Sequence, residues 1–343
     1  MLDEIRSQPE VIRTLVSSER DNIRLLAKEI GDRGINFSLI AARGTSDNAA
    51  TYAKYLLGII AGIPVGLAAP SIFTLYGAHP RLDHSLVIGV SQSGQAADVT
   101  EYLENSKKCG ALTACVTNED GSPITKVSDF TILCHAGLEK SVAATKTYTS
   151  TLAALAMLSF MLGGRDDLLA SLAGIGDKIG QVISSLEDEI ARRAERYRYM
   201  NECFVLARGI NYATAFEGAL KLAETCYVNA ERFSSADFMH GPIAMINEDI
   251  PCFLYAPSGA AFDSMIGAAR KLKDRNAELI IVSDNDEILS MATTPFKIPF
   301  TVEEELSPII YIVVGQLFAQ YLAIAKKHDP DHPRGLSKVT ITR

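Results

Sequence analysis

Short continuous apolar runs alternate along this chain with longer stretches in which apolar residues recur every three or four positions. Residues 37–42, 65–68, 86–90, 112–116 and 130–133 are of the first kind and read as strands, 86–90 as one buried in a parallel sheet. Residues 3–33 are of the second kind and predict two helices, one carrying Ile12, Leu15 and Val16, the next Ile23, Leu26, Ala27 and Ile30. Further helices are predicted from Arg43-Gly44-Thr45-Ser46 to about Ile60, over 95–108 and over 144–162. Strands alternating with helices imply a doubly wound α/β fold around a parallel sheet. A polar helical connector follows over 166–198.

The pattern then starts again. Ala207-Arg208-Gly209 repeats Ala42-Arg43-Gly44 at an offset of 165 residues, and Ser258-Gly259 with Asp263 repeats Ser93-Gly94 with Asp98 at the same offset. Pro295-Phe296-Lys297-Ile298 repeats Asp129-Phe130-Thr131-Ile132 at 166. Two copies of one α/β domain are therefore expected, over 34–165 and 199–330, with helices at 1–33, the connector at 166–198 and a tail at 331–343.

Chemistry enters at the ends of two strands in the first copy. Residues 86–90 run into Ser91-Gln92-Ser93-Gly94, and a helical pattern follows from Gln95. A strand, polar loop and helix start gather hydroxyls and free helix amides about one point, which favours an anion. The loop lacks lysine and GxxxxGK[ST], so it suits a phosphate monoester better than a nucleotide. The plain alternative is an ordinary turn. In the second copy these positions are Ala256-Pro257-Ser258-Gly259, and Thr45-Ser46 becomes Ile210-Asn211, so phosphate-type chemistry is expected in the first copy only. The loops at 43–46 and 91–94 both lie where open α/β sheets bind ligands.

A second informative stretch is 221–242. Glu217, Lys221 and Glu224 share a helix face, and His240-Gly241-Pro242 stops the chain after a helix start at Ser234-Ser235. A carboxylate and a histidine at this separation can form an acid/base pair; the alternative is a solvated helix face and a turn histidine.

Composition narrows the classes. With 48% apolar and 22% charged residues the chain is globular, and a net charge of -8 argues against nucleic acid and anionic membrane as partners. The six cysteines form no CxxC pair, as expected of reduced thiols in the cytoplasm, and the N-terminus lacks an apolar signal segment. Residues 152–162 read as the longest apolar run, too short to span a bilayer and expected to form a buried helix. Gly174-Ile175-Gly176 reads as mid-helix and not as a dinucleotide site. No metal is expected: His328 and His332 sit among prolines, and HExxH is absent. The tail ends in β-prone Val339-Thr340-Ile341-Thr342, so it can dock and deliver Lys338 into a site.

Six motifs taken in order carry a family resemblance: Arg43-Gly44-Thr45-Ser46, Ser91-Gln92-Ser93-Gly94, Glu139-Lys140-Ser141-Val142-Ala143-Ala144-Thr145-Lys146, Lys221-Leu222-Ala223-Glu224, Met239-His240-Gly241-Pro242 and Gly335-Leu336-Ser337-Lys338-Val339-Thr340. Over essentially the whole chain they resemble the tandem sugar-isomerase (SIS) domain proteins, in particular the isomerase half of the glutamine:fructose-6-phosphate aminotransferases and the SIS-type glucosamine-6-phosphate deaminases. The resemblance implies two flavodoxin-like, three-layer α/β/α domains. It implies that Thr45, Ser91, Gln92 and Ser93 hold a sugar phosphate and that Gly44, Ser46 and Val142 line the sugar. Glu224 would move a proton between C1 and C2, His240 would assist ring opening near a neighbouring subunit's site in a homodimer, and Lys338 would contact or bond the open-chain carbonyl, with the tail closing the site. Ala96 and Ala144 stand where the aminotransferase pattern has hydroxyls.

The expected reaction is conversion of glucosamine 6-phosphate to fructose 6-phosphate and ammonia, without cofactor, since no glutaminase segment precedes Met1-Leu2 to supply ammonia for the reverse. The alternatives are an isomerase or deglycase acting on a related hexose 6-phosphate, and a non-catalytic sugar-phosphate sensor.

Overall fold

The short apolar runs do become strands of parallel sheets, with 37–41, 85–90 and 112–117 central in the first sheet and the less buried 65–67 and 130–133 at its edges. In the computed structural model, which describes residues 1–248 and 250–338, the chain begins with α1 (Leu2–Ser18) and α2 (Arg20–Asp32). The first sheet follows: β1 (Phe37–Ala41), α3 (Thr45–Ile60), β2 (Val65–Leu67), α4 (Ser71–Thr74), β3 (Ser85–Val90), α5 (Ala97–Lys108), β4 (Leu112–Thr117), α6 (Pro123–Val127), β5 (Phe130–Leu133) and α7 (Lys146–Leu162). Helices α8 (Asp166–Ala173) and α9 (Ile175–Ala194) lead to the second: β6 (Glu202–Ala207), α10 (Tyr212–Cys226), β7 (Asn229–Ser234), α11 (Ser235–Met239), β8 (Cys252–Tyr255), α12 (Phe262–Lys273), β9 (Leu279–Ser283), α13 (Asp286–Leu289), β10 (Thr294–Lys297) and α14 (Ser307–Ala325).

Each sheet has five parallel strands. The orders are β2-β1-β3-β4-β5 and, read the same way, β7-β6-β8-β9-β10, so the second repeats the first strand for strand. This is the flavodoxin-like doubly wound order. The register carries the repeat to single residues. Ser38 faces Val65 as Cys203 faces Ala230, and Leu39 faces Val87 as Phe204 faces Cys252. The last strand is the exception. Val116 faces Ile132, but Val282 faces Phe296, so Phe296 takes the place of Ile132 and not that of Phe130. The sequence alignment is thus two residues out there, a slip that leaves every side chain on its original face.

The chain divides into two compact units. The N-terminal unit comprises Ser7–Glu139, Lys146–Gly176 and the described residues from Ser337 onward, and holds the first sheet. The C-terminal unit comprises Met1–Arg6, Lys140–Thr145 and Asp177–Leu336, and holds the second. In the first, Val87 and Cys115 pack with Val99, Tyr102, Leu103 and Ile124. In the second, Leu254 and Ile281 pack with Phe238, Met265, Leu272 and Ile288.

Three local expectations are corrected. Helix α5 starts at Ala97, because Gly94 turns the chain at positive φ and Ala96 is still extended. Gly174 ends α8 and Ile175 opens α9, so Gly174-Ile175-Gly176 is a break between helices, where glycine costs least. The longest apolar element is α14, which the sequence reading passed over. The stretch Glu304–Ala325 has the length and composition of a membrane span, yet most of it is buried inside the C-terminal unit, where it is a core helix. Val339-Thr340-Ile341-Thr342, expected to dock, lies outside the described residues.

Candidate functional site

The chain leaves β1 toward one side of the first sheet and returns at β3 on the other, so the reversal falls between these two adjacent strands. Ligands of open α/β sheets bind beyond the C-terminal strand ends at such a point. The two loops found there are 43–46 after β1 and 91–94 after β3. Gly44 has φ +54 and ψ -128, a conformation that releases β1 directly into the first turn of α3, where Thr45 and Ser46 lie half-buried. Arg43 Nε donates to the buried Asp98 Oδ2 of α5 at 2.8 Å, so one loop is tied to the helix that follows the other.

The second loop is held mainly through its backbone. Ser91 N–H donates to Val116 O at 3.1 Å, and Gln92 O accepts from Asn118 N–H at 3.0 Å. Ser91 is buried, Gln92 and Ser93 half-buried. Among the described residues no carboxylate is seated on the backbone amides of 91–97. The side chain of Gln92 donates from Nε2 to Glu139 Oε2 at 2.9 Å, and Lys338 Nζ donates to the same oxygen at 2.9 Å. Lys338 therefore stands in the same hydrogen-bonded group as the phosphate-loop candidate Gln92.

The corresponding loop of the second copy is chemically different. Ser258 N–H donates to Asp284 Oδ1 at 2.8 Å, and Ala260 and Ala261 N–H donate to the two oxygens of Glu304 at 2.6 and 3.3 Å. Asp284 also accepts from Thr301 and Tyr311. Burial works against its charge, but the bonds from Thr301, Ser258 and Tyr311 prevail and hold its carboxyl below the usual range. The chain's own carboxylates thus occupy the amides to which a ligand anion would bind.

In the C-terminal unit, α10 places Glu217, Lys221 and Glu224 on one face as the spacing predicts, but that face is not solvated. Lys221 and Glu217 are fully buried, and Glu224 keeps 24% of its side chain exposed. Lys221 Nζ lies 3.2 Å from Glu217 and 2.7 Å from Glu224. Burial disfavours the ammonium, but the two carboxylates outweigh burial and raise the Lys221 pKa, so it stays charged. A cation fixed on one side of a partly exposed carboxylate orients the other oxygen for proton transfer. His240 ends α11 and is exposed, its N–H donating to Asp237 O at 3.1 Å. Val142 is half-buried, and its N–H donates to Asp331 O at 3.2 Å. Glu224, His240 and Val142 thus belong to the C-terminal unit, whereas Gly44, Thr45, Ser46, Ser91, Gln92, Ser93 and Lys338 belong to the N-terminal one.

Among the described residues no three His, Cys, Asp or Glu side chains gather as a metal cage requires. The six cysteines are free thiols, and burial pushes Cys134, Cys226 and Cys252 up to about 12, which keeps them protonated. Sequence reasoning missed Glu139 and Glu304 as acceptors. Glu139 lies 47 and 199 positions from Gln92 and Lys338, Glu304 lies 44 from Ala260, and no local spacing signals these contacts.

A sequence model of the SIS domain matches residues 38–161 and 198–326, one match on each sheet. The chain belongs to the SIS-domain family. Among curated proteins it is 37% identical over 347 residues to a glutamine–fructose-6-phosphate aminotransferase (isomerizing) from Thermococcus kodakarensis, covering 98% of this chain and 57% of that protein. The SIS chain thus spans somewhat over half the length of the curated relatives it matches. Among solved structures it is similar to a Silicibacter pomeroyi protein described as a phosphosugar isomerase (TM-score 0.87, 30% identity, 96% of this chain and 98% of that one). It is also similar to the C-terminal domain of glucosamine-fructose-6-phosphate aminotransferase from Francisella tularensis (TM-score 0.85, 27% identity, 97% of each chain).

Proposed function

We propose that this SIS protein interconverts the aldose and ketose forms of a hexose 6-phosphate by moving a proton between C1 and C2. The observation that carries the reading is the first-copy loop pair at the β1/β3 reversal, rich in hydroxyls and, among the described residues, with no carboxylate on the backbone amides of 91–97, set against a second copy whose loop amides are taken. Thr45, Ser91, Gln92 and Ser93 hold the phosphate, and Gly44, Ser46 and Val142 line the sugar. His240 assists ring opening. Glu224, flanked by the charged Lys221, takes the proton from one carbon and returns it to the other. Lys338 stabilises the charge that develops on the carbonyl oxygen.

Within this class the reading favours glucosamine 6-phosphate. Its open chain loses the C2 proton to Glu224 to give an enolamine, which takes a proton at C1 to become the ketimine. Water adds at C2, and ammonia leaves with fructose 6-phosphate as the product. None of these steps calls for a redox group. The reading places the protein in the cytoplasm, where hexose phosphates are found.

The test is a panel of glucose, fructose, glucosamine and galactosamine 6-phosphates assayed in deuterated water. Exchange at C1 or C2 with release of ammonia from glucosamine 6-phosphate supports the full reading. Exchange without ammonia supports the isomerase alone. Tight binding of a sugar phosphate without exchange would make the protein a sensor and overturn the enzymatic assignment.

A further inference from the structure

Glu139 is the least exposed charged group of the N-terminal unit's polar cluster, its side chain fully buried at the junction between β5 and α7. Its Oε2 accepts from Thr147 Oγ1 at 2.7 Å, from Gln92 Nε2 at 2.9 Å and from Lys338 Nζ at 2.9 Å, and its Oε1 accepts from Thr147 N–H at 3.2 Å. These donors come from three separate parts of the chain: the first turn of α7, the loop after β3, and the residues beyond α14. A carboxylate removed from water is costly unless bonded and neutralised. The first turn of α7 contributes two of the bonds and the favourable end of its dipole. The neighbouring cation Lys146 is directed elsewhere, its Nζ donating to Leu138 O at 2.9 Å. Lys338 is the cation on the carboxylate itself, and it keeps 26% of its side chain exposed.

We propose that Glu139 is a positioning residue that docks Lys338 against the phosphate loop, fixing the ammonium of the tail beside Gln92. Its place in catalysis rests on the function proposed above, but the docking does not. Thr147 and Glu139 are tied to the first turn of α7, and Lys338 is the more exposed partner. Without the carboxylate, Lys338 loses its bond to Glu139 and Gln92 loses the acceptor that orients its amide.

The experiment is trace acetylation of the full chain with acetic anhydride, with modification of Lys338 read by mass spectrometry against the exposed Lys271 as internal reference. Glu139→Gln keeps the shape and removes the charge. Glu139→Asp keeps the charge and draws it back by one methylene. Lys338 labelling should rise roughly two- to fivefold in Glu139→Gln, the range that a partly exposed ion pair spans, and to an intermediate level in Glu139→Asp. A wild-type labelling rate in either folded variant overturns the proposal, because a carboxylate serving only α7 would leave Lys338 as it was. On glucosamine 6-phosphate, kcat should fall about 10- to 100-fold through lost positioning, with a smaller change in KM. Raised labelling with unchanged kcat would confirm the docking and show that the reaction assigned to Lys338 is wrong.

Discussion

Gly94 sits where the 91–94 loop has no room to spare. Its φ is +62, and an added Cβ would come within 2.0 Å of Ser122 Oγ and 2.5 Å of Ser122 Cβ. Gly94→Ala should therefore destabilise the N-terminal unit by about 1–3 kcal/mol, from the backbone conformation and the overlap together. Chemical denaturation reads the loss, and sugar-phosphate affinity should fall with it because the turn aims Ser93. A variant as stable as the parent would mean that the turn relaxes freely. Glu224 poses the complementary case, in which the change is electronic. Glu224→Gln should bind sugar phosphate as before and lose about 10² to 10⁴ in turnover, the usual contribution of a positioned acid/base. Its C1 deuterium incorporation should fall in parallel, and exchange at the parent rate would remove Glu224 from the role of base.

At the level of elements, the two copies differ in what sits on their loop amides. The β8–α12 loop is sealed by Asp284, which follows β9, and by Glu304, which precedes α14. Crystals grown in sulfate should show an anion at 91–94 and none at 256–261. Replacing Glu304 by Ala should cost about 1–2 kcal/mol in a urea melt, since the bonds lost are charged but partly solvated, and should leave affinity at the first loop unchanged. Asp284 gives a pH signature. Its folded-state pKa is depressed, so its contribution is complete above the unfolded value of about 3.9 and is lost as pH falls through the lower folded value. Melts at about pH 5 and about pH 3 should differ less for Asp284→Asn than for the parent. An equal acid sensitivity would mean that Asp284 has no part in it.

For the molecule as a whole, the open question is what His240 serves. It is exposed at the end of α11. We predict a homodimer in which His240 works near a neighbouring subunit's site. Sedimentation across a dilution series should show a dimer, and turnover should fall with its dissociation while sugar-phosphate binding persists. A monomer with full activity would sink the prediction.

The parallel strands, the duplication and the first-copy loops were legible in the chain because each is written locally. Buried parallel strands are continuous apolar runs, repeats keep their offsets, and Ser91-Gln92-Ser93-Gly94 is contiguous. The register of β10 was misread by two residues because alternate side chains look alike to a pattern of period two. Helix α14 was missed because an all-round apolar helix has no periodicity to find. The state of the α10 face was equally out of reach: the same Glu217, Lys221 and Glu224 spacing suits solvent or core, and only packing decided that Lys221 is buried and remains charged. Contacts between residues distant in sequence belonged wholly to the tertiary structure. Glu139 meets Lys338 across 199 positions and Glu304 meets Ala260 across 44, and side chains that far apart carry no mutual trace until the fold brings them together.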